Sequence, residues 1–569
     1  MNASRTDGVS DGVLLVMIGG LVAVGSLVWV WGGIAGALFG SGWPRLQPDQ
    51  LLDILVRLPA RLADPRRAWP AGAGRELPGP GGFYAALAVV ACVATSALLL
   101  VRRAFGRARP ASLRRAAGAR WARSTELRTL RTRERTAPDA GGGRLSLGRH
   151  HGRVLRAEHR HALIAFGPPQ SGKSAALAVP ALLEWHGPAV ASSIKTDLLA
   201  TTLARRRRLG TSFIFDPFGL AGTASQTWSP LRAAGTWDGA LEVAWRLAAA
   251  GELDQRGVEG GDFWAIAAEQ RLAPLLYTAA ATGATVDSVV RWAYGQGSRE
   301  LDDALLALGN GARDERELAD ARAAYDAVRA FAAQADRTRS SIEATAQAIL
   351  RAYRFARVAR SATSCEITPE RLLEEPATLY LIGDAKASKL LRPIFLALLG
   401  EVVDAAYERA TRAGGQLELP LLLCLDEAGN VAPLPNLAEI ASTAPSHNIQ
   451  LISIFHDLQQ ARARYGKQAE TVVNSHRARM LLPGVADLET LRYFAGLLGE
   501  EEAAEQTRTT GPGGTSRSSG VRRRPLASAE ALRQLRDGRA LLLYGRLPPA
   551  ELILRLWFRE RRLRRLARV

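Results

Sequence analysis

From Ala162 onward, short apolar runs alternate with longer stretches whose apolar residues recur at helical spacing. Most of the short runs show no strict alternation of polar and apolar residues, which is typical of strands inside a parallel sheet that is covered on both faces. The pattern therefore predicts buried strands at Ala162–Phe166, Ala189–Ser193, Ser212–Phe215, Thr378–Ile382, Leu421–Leu425, Ile449–Phe455, Ala478–Leu482 and Ala540–Tyr544.

The strand pattern is interrupted between residues 232 and 368. This region is rich in Ala, Arg, Glu and Leu, and its only proline is Pro274. Such a composition with helical periodicity predicts an all-helical domain inserted between strands of the sheet. The flanking residues 151–231 and 369–550 then form one α/β domain, and 551–569 form a basic C-terminal tail.

The N-terminal part of the chain contains two apolar runs, 12–40 and 83–101, and the first carries no charge. Each reaches the length of about 20 residues that spans a bilayer as a helix. A cleaved signal peptide is the alternative for the first run, but the run is long for that and acidic residues precede it. We predict a membrane anchor over 1–105 with two transmembrane helices and an external loop at 41–82.

Positive charge dominates the chain, which has a formal net charge of +19 and a pI near 10.6. This balance suggests an anionic partner, either nucleic acid or anionic lipid, without choosing between them. Residues 106–150 are expected to be an arginine-rich cytosolic linker that lies on lipid headgroups, with DNA contact as an alternative. Only five residues are lysines, so Lys173 stands out in a chain that otherwise uses arginine.

Residues 167–174 read GPPQSGKS, which matches the phosphate-binding pattern G-x-x-x-x-G-K-[ST] between a predicted strand and a predicted helix. In such loops, glycines allow backbone N–H groups to surround phosphate oxygens, and the helix N-terminus attracts their charge. Lys173 would contact the β- and γ-phosphates, and Ser174 would bind Mg²⁺. The predicted nucleotide contacts are Gly167, Gln170, Ser171, Gly172, Lys173 and Ser174.

An apolar strand that ends in two acids supplies the second half of a nucleotide site. The stretch LPLLLCLDEAGNV places Asp426 and Glu427 at the carboxyl end of the predicted strand. Asp426 would belong to the Mg²⁺ shell, and Glu427 would orient and polarise the attacking water. ATP and Mg²⁺ are the predicted ligands, and a site that uses ATP faces the cytosol.

With these motifs, the chain resembles the TraG/TraD family of type IV secretion coupling proteins, the membrane ATPases of conjugative DNA transfer. Further segments carry the resemblance: FIFDPFG, TWSPL, DFWAIAAEQRLAPLLY, DEAGNVAPLPNLAEI, QLISIFHDLQQARARYG, DLETLRYFAGLLG and RRRPL. The resemblance implies a RecA-like P-loop motor of the α/β class with an inserted all-α domain, preceded by two transmembrane helices. It also implies a multi-pass protein of the cytoplasmic membrane that forms a homo-hexamer. The implied partners are DNA or a relaxase–DNA complex and the secretion channel.

Two positions depart from the family pattern. His456 occupies the strand end where the family usually has a glutamine, although Gln460 and the following Tyr465-Gly466 fit the family's segment. Pro445 stands where an arginine is common. We predict that Glu427, His456 and Gln460 are catalytic, with His456 in the role of the missing glutamine; the alternative is a histidine that only packs against the next helix.

Two other functions remain open from the sequence. One is a chromosome-segregation type translocase of double-stranded DNA, which shares the motor but normally lacks so large a helical insertion. The other is a membrane receptor that recruits secreted effector proteins and hydrolyses little ATP, which the departures at Pro445 and His456 would permit.

Overall fold

The computed structural model describes residues 24–105, 118–131, 144–255, 261–511 and 514–568. The chain divides into two compact units, Met1–Ala116 and Ala117–Val569. Within the first unit, residues 24–39 are helical, and helices also occupy Pro48–Arg57, Ala71–Gly74 and Pro80–Phe105. Its core is aromatic: Trp31 packs edge-on against Phe83, and the Trp31 indole donates a hydrogen bond to the Phe83 carbonyl at 2.7 Å.

The two predicted membrane helices are not supported by the structure. In the part of the chain that it describes, no helix is both long enough and apolar enough to cross a membrane. Residues 12–23 of the predicted span 12–40 lie outside the described residues, as do residues 106–117 and 132–143 of the predicted linker.

The second unit is built on one large mixed sheet. Its strands, in chain order, are β1 (Ser146–His150), β2 (Arg153–Arg156), β3 (Leu163–Phe166), β4 (Ala189–Ser193), β5 (Ser212–Phe215), β6 (Thr378–Ile382), β7 (Leu421–Asp426), β8 (Ile449–Phe455), β9 (Ala478–Leu481), β12 (Arg539–Tyr544) and β13 (Ala550–Ile553). A separate antiparallel hairpin consists of β10 (Glu500–Gly511) and β11 (Gly514–Pro525). Every strand predicted from the apolar runs is present, with ends that agree within one residue.

The spatial order of the sheet is β2-β1-β13-β12-β9-β3-β8-β7-β4-β6-β5. The seven strands from β9 to β5 run parallel to one another, whereas β12, β13, β1 and β2 pair antiparallel. Successive residues of β3 alternate between two cores: Ile164 and Phe166 pack on one face of the sheet, and Leu163 and Ala165 on the other. The parallel strands are therefore buried on both faces, as their apolar sequences predict.

All described elements between β5 and β6 are helical. They pack into the same core as one face of the sheet, and polar contacts reinforce that packing. The Trp228 indole donates to Glu401 at 2.8 Å, and Arg232 pairs with the same carboxylate at 2.5 Å.

The helices of the second unit are Val179–Glu184, Asp197–Arg207, Trp237–Gln255, Gly261–Thr282, Val286–Ala293, Ser298–Asn310, Glu315–Ala332, Asp336–Leu350, Ala356–Arg360, Pro369–Leu373, Ala385–Arg412, Leu437–Thr443, Leu458–Tyr465, Ala469–Ser475, Leu488–Leu498, Ala529–Arg533 and Arg561–Arg568.

Two segments differ from their predicted roles as linker and tail. The end of the predicted linker, Ser146–His150, is strand β1, which pairs with β13 at Arg149↔Ile553. Residues 551–553 of the predicted tail therefore belong to the sheet, and the helix Arg561–Arg568 packs its fully buried Leu563 into the same core as Leu163 and Ala165. The Gly/Ser/Arg-rich stretch after Thr507 forms part of the β10–β11 hairpin.

Candidate nucleotide site

The sheet brings the two predicted motifs to one edge. Strand β8 lies between β3 and β7, and all three run parallel, with Phe166 opposite Phe455 and Asp426 opposite Ile454. Because the carboxyl ends of parallel strands meet at the same edge, the loop after β3, the acids after β7 and His456 after β8 become neighbours. They line a common cleft of about 530 Å³.

The loop after β3 has the backbone that a phosphate-binding loop requires. Gln170 and Gly172 adopt left-handed conformations, with φ of +68° and +86°, which turn the chain back toward the sheet edge. At Gly167, a Cβ atom would lie 2.5 Å from the Ser171 hydroxyl, so only glycine fits. The loop leads into a π-helical turn at Ser174–Ala178 and then into the helix Val179–Glu184.

Lys173 lies at the centre of a buried polar cluster. Its ammonium group is 2.9 Å from Glu427 Oε1 and 2.7 Å from His456 Nδ1, and it donates to the Gly167 carbonyl at 3.2 Å. Because an ammonium group only donates, His456 Nδ1 must accept, which leaves the ring proton on Nε2. That Nε2–H group faces Glu427 Oε2 at 3.2 Å, so His456 bridges the lysine and the glutamate.

Glu427 is held as a charged carboxylate. Burial alone would raise its pKa, but the hydrogen bond from His456 and the positive charge of Lys173 outweigh burial and lower the pKa to about 2. Asn430 also donates to Glu427 Oε2, at 3.2 Å. The glutamate backbone has φ of +85°, a strained conformation for a residue with a side chain, and such strain is concentrated at functional sites.

Asp426 is the second buried carboxylate, and its surroundings differ. The Ser174 hydroxyl is 2.7 Å from Asp426 Oδ2, and Ser193 at the end of β4 is 3.4 Å from the same oxygen. Burial raises the pKa of Asp426 to about 6, against the hydrogen bond from Ser174 and with the help of the Glu427 charge. A carboxylate and a serine hydroxyl in contact are the oxygen ligands that Mg²⁺ prefers.

Gln460 lies outside the lining of the cleft. The side-chain amide oxygen of Gln460 accepts the backbone N–H of His456 at 2.7 Å. The backbone N–H of Gln460 donates to the carboxylate of Asp457, which caps the helix Leu458–Tyr465. Its side chain also packs against Gly429, where a Cβ atom would lie 3.0 Å from the Gln460 amide carbon. The structure therefore places Gln460 as a support for the His456 backbone rather than beside Lys173.

Sequence reasoning missed several residues that line this cleft or contact its acids. Ser193 and Asn430 carried a usable signal, because Ser193 ends a predicted strand and Asn430 lies three residues after Glu427. The C-terminal part of the chain gave no signal, yet it contributes to the lining through Asp537, Gly538, Leu556, Phe558 and Arg559.

The geometry of the cleft fits a nucleotide with Mg²⁺. The buried Ser171 hydroxyl has no hydrogen-bond partner among the described residues, and a phosphate oxygen would satisfy it. Gly167 leaves the cradle free of side-chain atoms, and Lys173 supplies a cation that is only 7% exposed. The residues present therefore fit a phosphate chain at the loop and Mg²⁺ beside Ser174 and Asp426.

The family described as "Type IV secretory system Conjugative DNA transfer" matches residues 112–567, which is most of the chain. The chain belongs to this family. This chain is 26% identical to a "Conjugal transfer protein TraG" of Escherichia coli over 387 residues. The match covers 63% of this chain and 58% of that protein. A second Escherichia coli TraG protein is 24% identical over 401 residues, which are 65% and 60% of the two chains. The matches thus span less than two thirds of these relatives' own length.

This chain also shares its fold with a coupling protein of known structure. The structure described as "Plasmid coupling protein TrwB in complex with ADP and Mg2+" has a TM-score of 0.56 and 16% identity, and the match covers 78% of this chain and 94% of that one. At this identity the likeness shows the fold alone, which is an α/β NTPase with a mixed, largely parallel sheet.

Proposed function

We propose that this chain is a P-loop ATPase that couples DNA or a relaxase–DNA complex to a type IV secretion channel and drives its transfer by ATP hydrolysis. One observation carries the proposal: Lys173, Ser174, Asp426 and Glu427 converge in one buried cluster at the carboxyl edge of the sheet of a conjugative transfer family member. The net charge of +19 suits a phosphate-lined cargo, since sequence-independent nucleic-acid contacts come mainly from basic side chains.

The residues divide into two roles. Lys173 and the backbone of residues 167–174 bind and neutralise phosphate, while Ser174 and Asp426 hold Mg²⁺, which when bound neutralises phosphate charge as it develops. Glu427, ionised at neutral pH, accepts a hydrogen bond from the attacking water and orients it. His456 positions Glu427 through its Nε2–H group, and Gln460 fixes the backbone that carries His456.

Binding of Mg²⁺-nucleotide should weaken as the pH falls below about 6. With its pKa raised to about 6, Asp426 is protonated in acid, and Mg²⁺ must then displace a proton to bind. For one competing proton, the affinity for Mg²⁺ should fall by about tenfold from pH 7 to pH 5. Titration calorimetry with Mg²⁺ and a non-hydrolysable ATP analogue measures this, and Asp426→Asn, which cannot titrate there, should bind Mg²⁺ weakly with a flat pH profile. Equal pH profiles for the two proteins would contradict the assignment.

Whether DNA is the cargo is tested by comparing the rate of ATP hydrolysis with and without DNA. The purified full chain should hydrolyse ATP in the presence of Mg²⁺, and single- or double-stranded DNA should raise the rate by severalfold, because cargo engagement and turnover are coupled in a motor. A phosphate-release assay measures the rate, with Lys173→Ala as the background control. A rate that DNA leaves unchanged would refute the DNA motor and favour the effector receptor, while stimulation by double-stranded DNA alone would favour a segregation-type translocase.

Membrane association and a homo-hexameric ring are further parts of the proposal. The uncharged run at 12–40 supports the first, and the resemblance to ring-forming coupling proteins supports the second. Cell fractionation tests the membrane association, because a chain found wholly in the soluble fraction would refute it.

Light scattering of the purified chain with nucleotide measures the mass of the assembly, and a monomer under all conditions would refute the homo-hexameric ring.

A further inference from the structure

The C-terminal segment Leu554–Glu560 lies against the phosphate-binding loop. The Trp557 backbone N–H donates to the Ala175 carbonyl at 3.1 Å, and a Cβ atom on Gly172 would lie 3.2 Å from Leu556 Cδ2. The loop before β12 joins this segment, because the Leu554 N–H donates to the Gly538 carbonyl at 2.8 Å. Segment and loop together form one wall of the cleft, which we call the C-terminal wall.

A buried ion cluster holds the C-terminal wall in place. Arg555 is 3% exposed, and its guanidinium contacts Glu184 at 2.9 Å and Glu560 at 2.8 Å. Glu184 ends the helix that follows the phosphate-binding loop, and Arg555 also donates to Ser146 of β1 at 2.7 Å. A bidentate, hydrogen-bonded arginine of this kind gives fixed geometry as well as attraction. The wall is therefore held relative to the loop and its helix.

The C-terminal wall presents an exposed aromatic ring to the cleft. Phe558 lines the cleft with 47% of its surface exposed, and Leu556 lies beside it. Asp537 on the same wall offers acceptors for hydroxyl or amino groups, and Arg559 offers donors. A nucleotide binds a cation through its phosphates and a flat apolar surface through its base. Covering an exposed aromatic ring with a base is favourable because it removes apolar surface from water.

We infer that the C-terminal wall is the base-binding surface of the nucleotide site, with Phe558 stacked on the nucleobase. The inference rests on the proposed nucleotide site and names the residues that hold the base and ribose. Since every base has a π-face, stacking on Phe558 binds adenine and guanine alike. Asp537 accepts hydrogen bonds from the ribose hydroxyls, and Lys173 remains the phosphate contact.

The experiment separates base binding from phosphate binding. Titration calorimetry on the full chain compares a non-hydrolysable ATP analogue with inorganic tripolyphosphate, both with Mg²⁺. Phe558→Ala should weaken binding of the ATP analogue by about tenfold, within the usual range for loss of a base-stacking ring, and should leave tripolyphosphate binding within about twofold. Phe558→Trp keeps a stacking surface and should bind the analogue as the original chain does.

A matched control is Phe355→Ala. Phe355 is 46% exposed and packs edge-on against Phe218, much as Phe558 packs against Trp557, but it does not line the cleft. Phe355→Ala should leave the affinities for the ATP analogue and for tripolyphosphate unchanged. Equal weakening of both ligands by Phe558→Ala, or no weakening of either, would overturn the inference while leaving the nucleotide site intact. Failure of the unmodified chain to bind either ligand would instead overturn the proposed function and the inference with it.

Discussion

Lys173→Ala is expected to abolish nucleotide binding, whereas Glu427→Gln should preserve binding and lower turnover by at least about 100-fold. Lys173 is the buried cation at the phosphate-binding loop, so it acts on charge that is present in the bound ground state. Glu427 acts on water during hydrolysis, so its loss appears in the rate rather than in the affinity. Glutamine keeps the shape of the side chain and its contact with Asn430 while removing the negative charge.

The measurement is a pair of assays on each variant, equilibrium binding of a labelled ATP analogue and steady-state phosphate release. Lys467→Ala is the control, because Lys467 is an exposed lysine that does not line the cleft. His456→Gln belongs in the same series: glutamine retains a donor and an acceptor, so it should keep most of the turnover that His456→Leu loses. Equal loss of ATP affinity in Lys173→Ala and Glu427→Gln would remove Glu427 from the catalytic role.

Arg206→Met should lower the free energy of unfolding by about 3–5 kcal/mol. Arg206 is fully buried and has no carboxylate partner among the described residues, and burial lowers its pKa to about 10. Its guanidinium instead donates to the Thr378 hydroxyl at 2.6 Å and to the carbonyls of Trp185 and Gly187 at 2.6 and 2.7 Å. Methionine fills part of the volume but leaves these buried acceptors without a donor.

Urea unfolding of the full chain, followed by circular dichroism, measures this change. Arg207→Met supplies the matched control, since Arg207 is the next residue of the same helix and is exposed to solvent. It should change the free energy of unfolding by less than about 0.5 kcal/mol. If both variants unfolded at the same urea concentration as the original chain, the buried hydrogen bonds of Arg206 would not be stabilising the sheet.

The apolar strands were predictable because each carries its own signal. The five residues of Ala189–Ser193 and the seven of Ile449–Phe455 are buried on both faces, so the local sequence must be largely apolar. Strands β1, β2 and β13 carry no such signal: SLGRH, RVLR and AELI are short and mix polar with apolar residues. They form at the antiparallel edge, where pairing such as Arg149↔Ile553 joins residues far apart in the chain.

The candidate site divides in the same way. The phosphate-binding loop is local, so its residues were recognisable from eight consecutive letters, and the acid pair followed from one strand. The family resemblance predicts Gln460 in the site, but its amide oxygen instead accepts the His456 backbone N–H, which lies one turn away at the helix start. The segment Leu554–Glu560 lies in what the sequence predicts to be a basic C-terminal tail, because only the distant partners Glu184 and Ser146 explain the burial of Arg555.

By itself, the sequence determined the parallel strands, the helical stretch between β5 and β6, the phosphate-binding loop and the acid pair. Each of these depends on neighbours in the chain: a run of apolar residues, a period of 3.6, or glycines beside one lysine. Only the tertiary structure decided that β8 separates β3 from β7, which brings Lys173, Glu427 and His456 within 2.7–3.2 Å of one another. It also decided that Leu556, Phe558 and Arg559 line the cleft. The physical reason is that these contacts join segments up to about 380 residues apart, whose pairing is set by sheet order and burial rather than by local sequence.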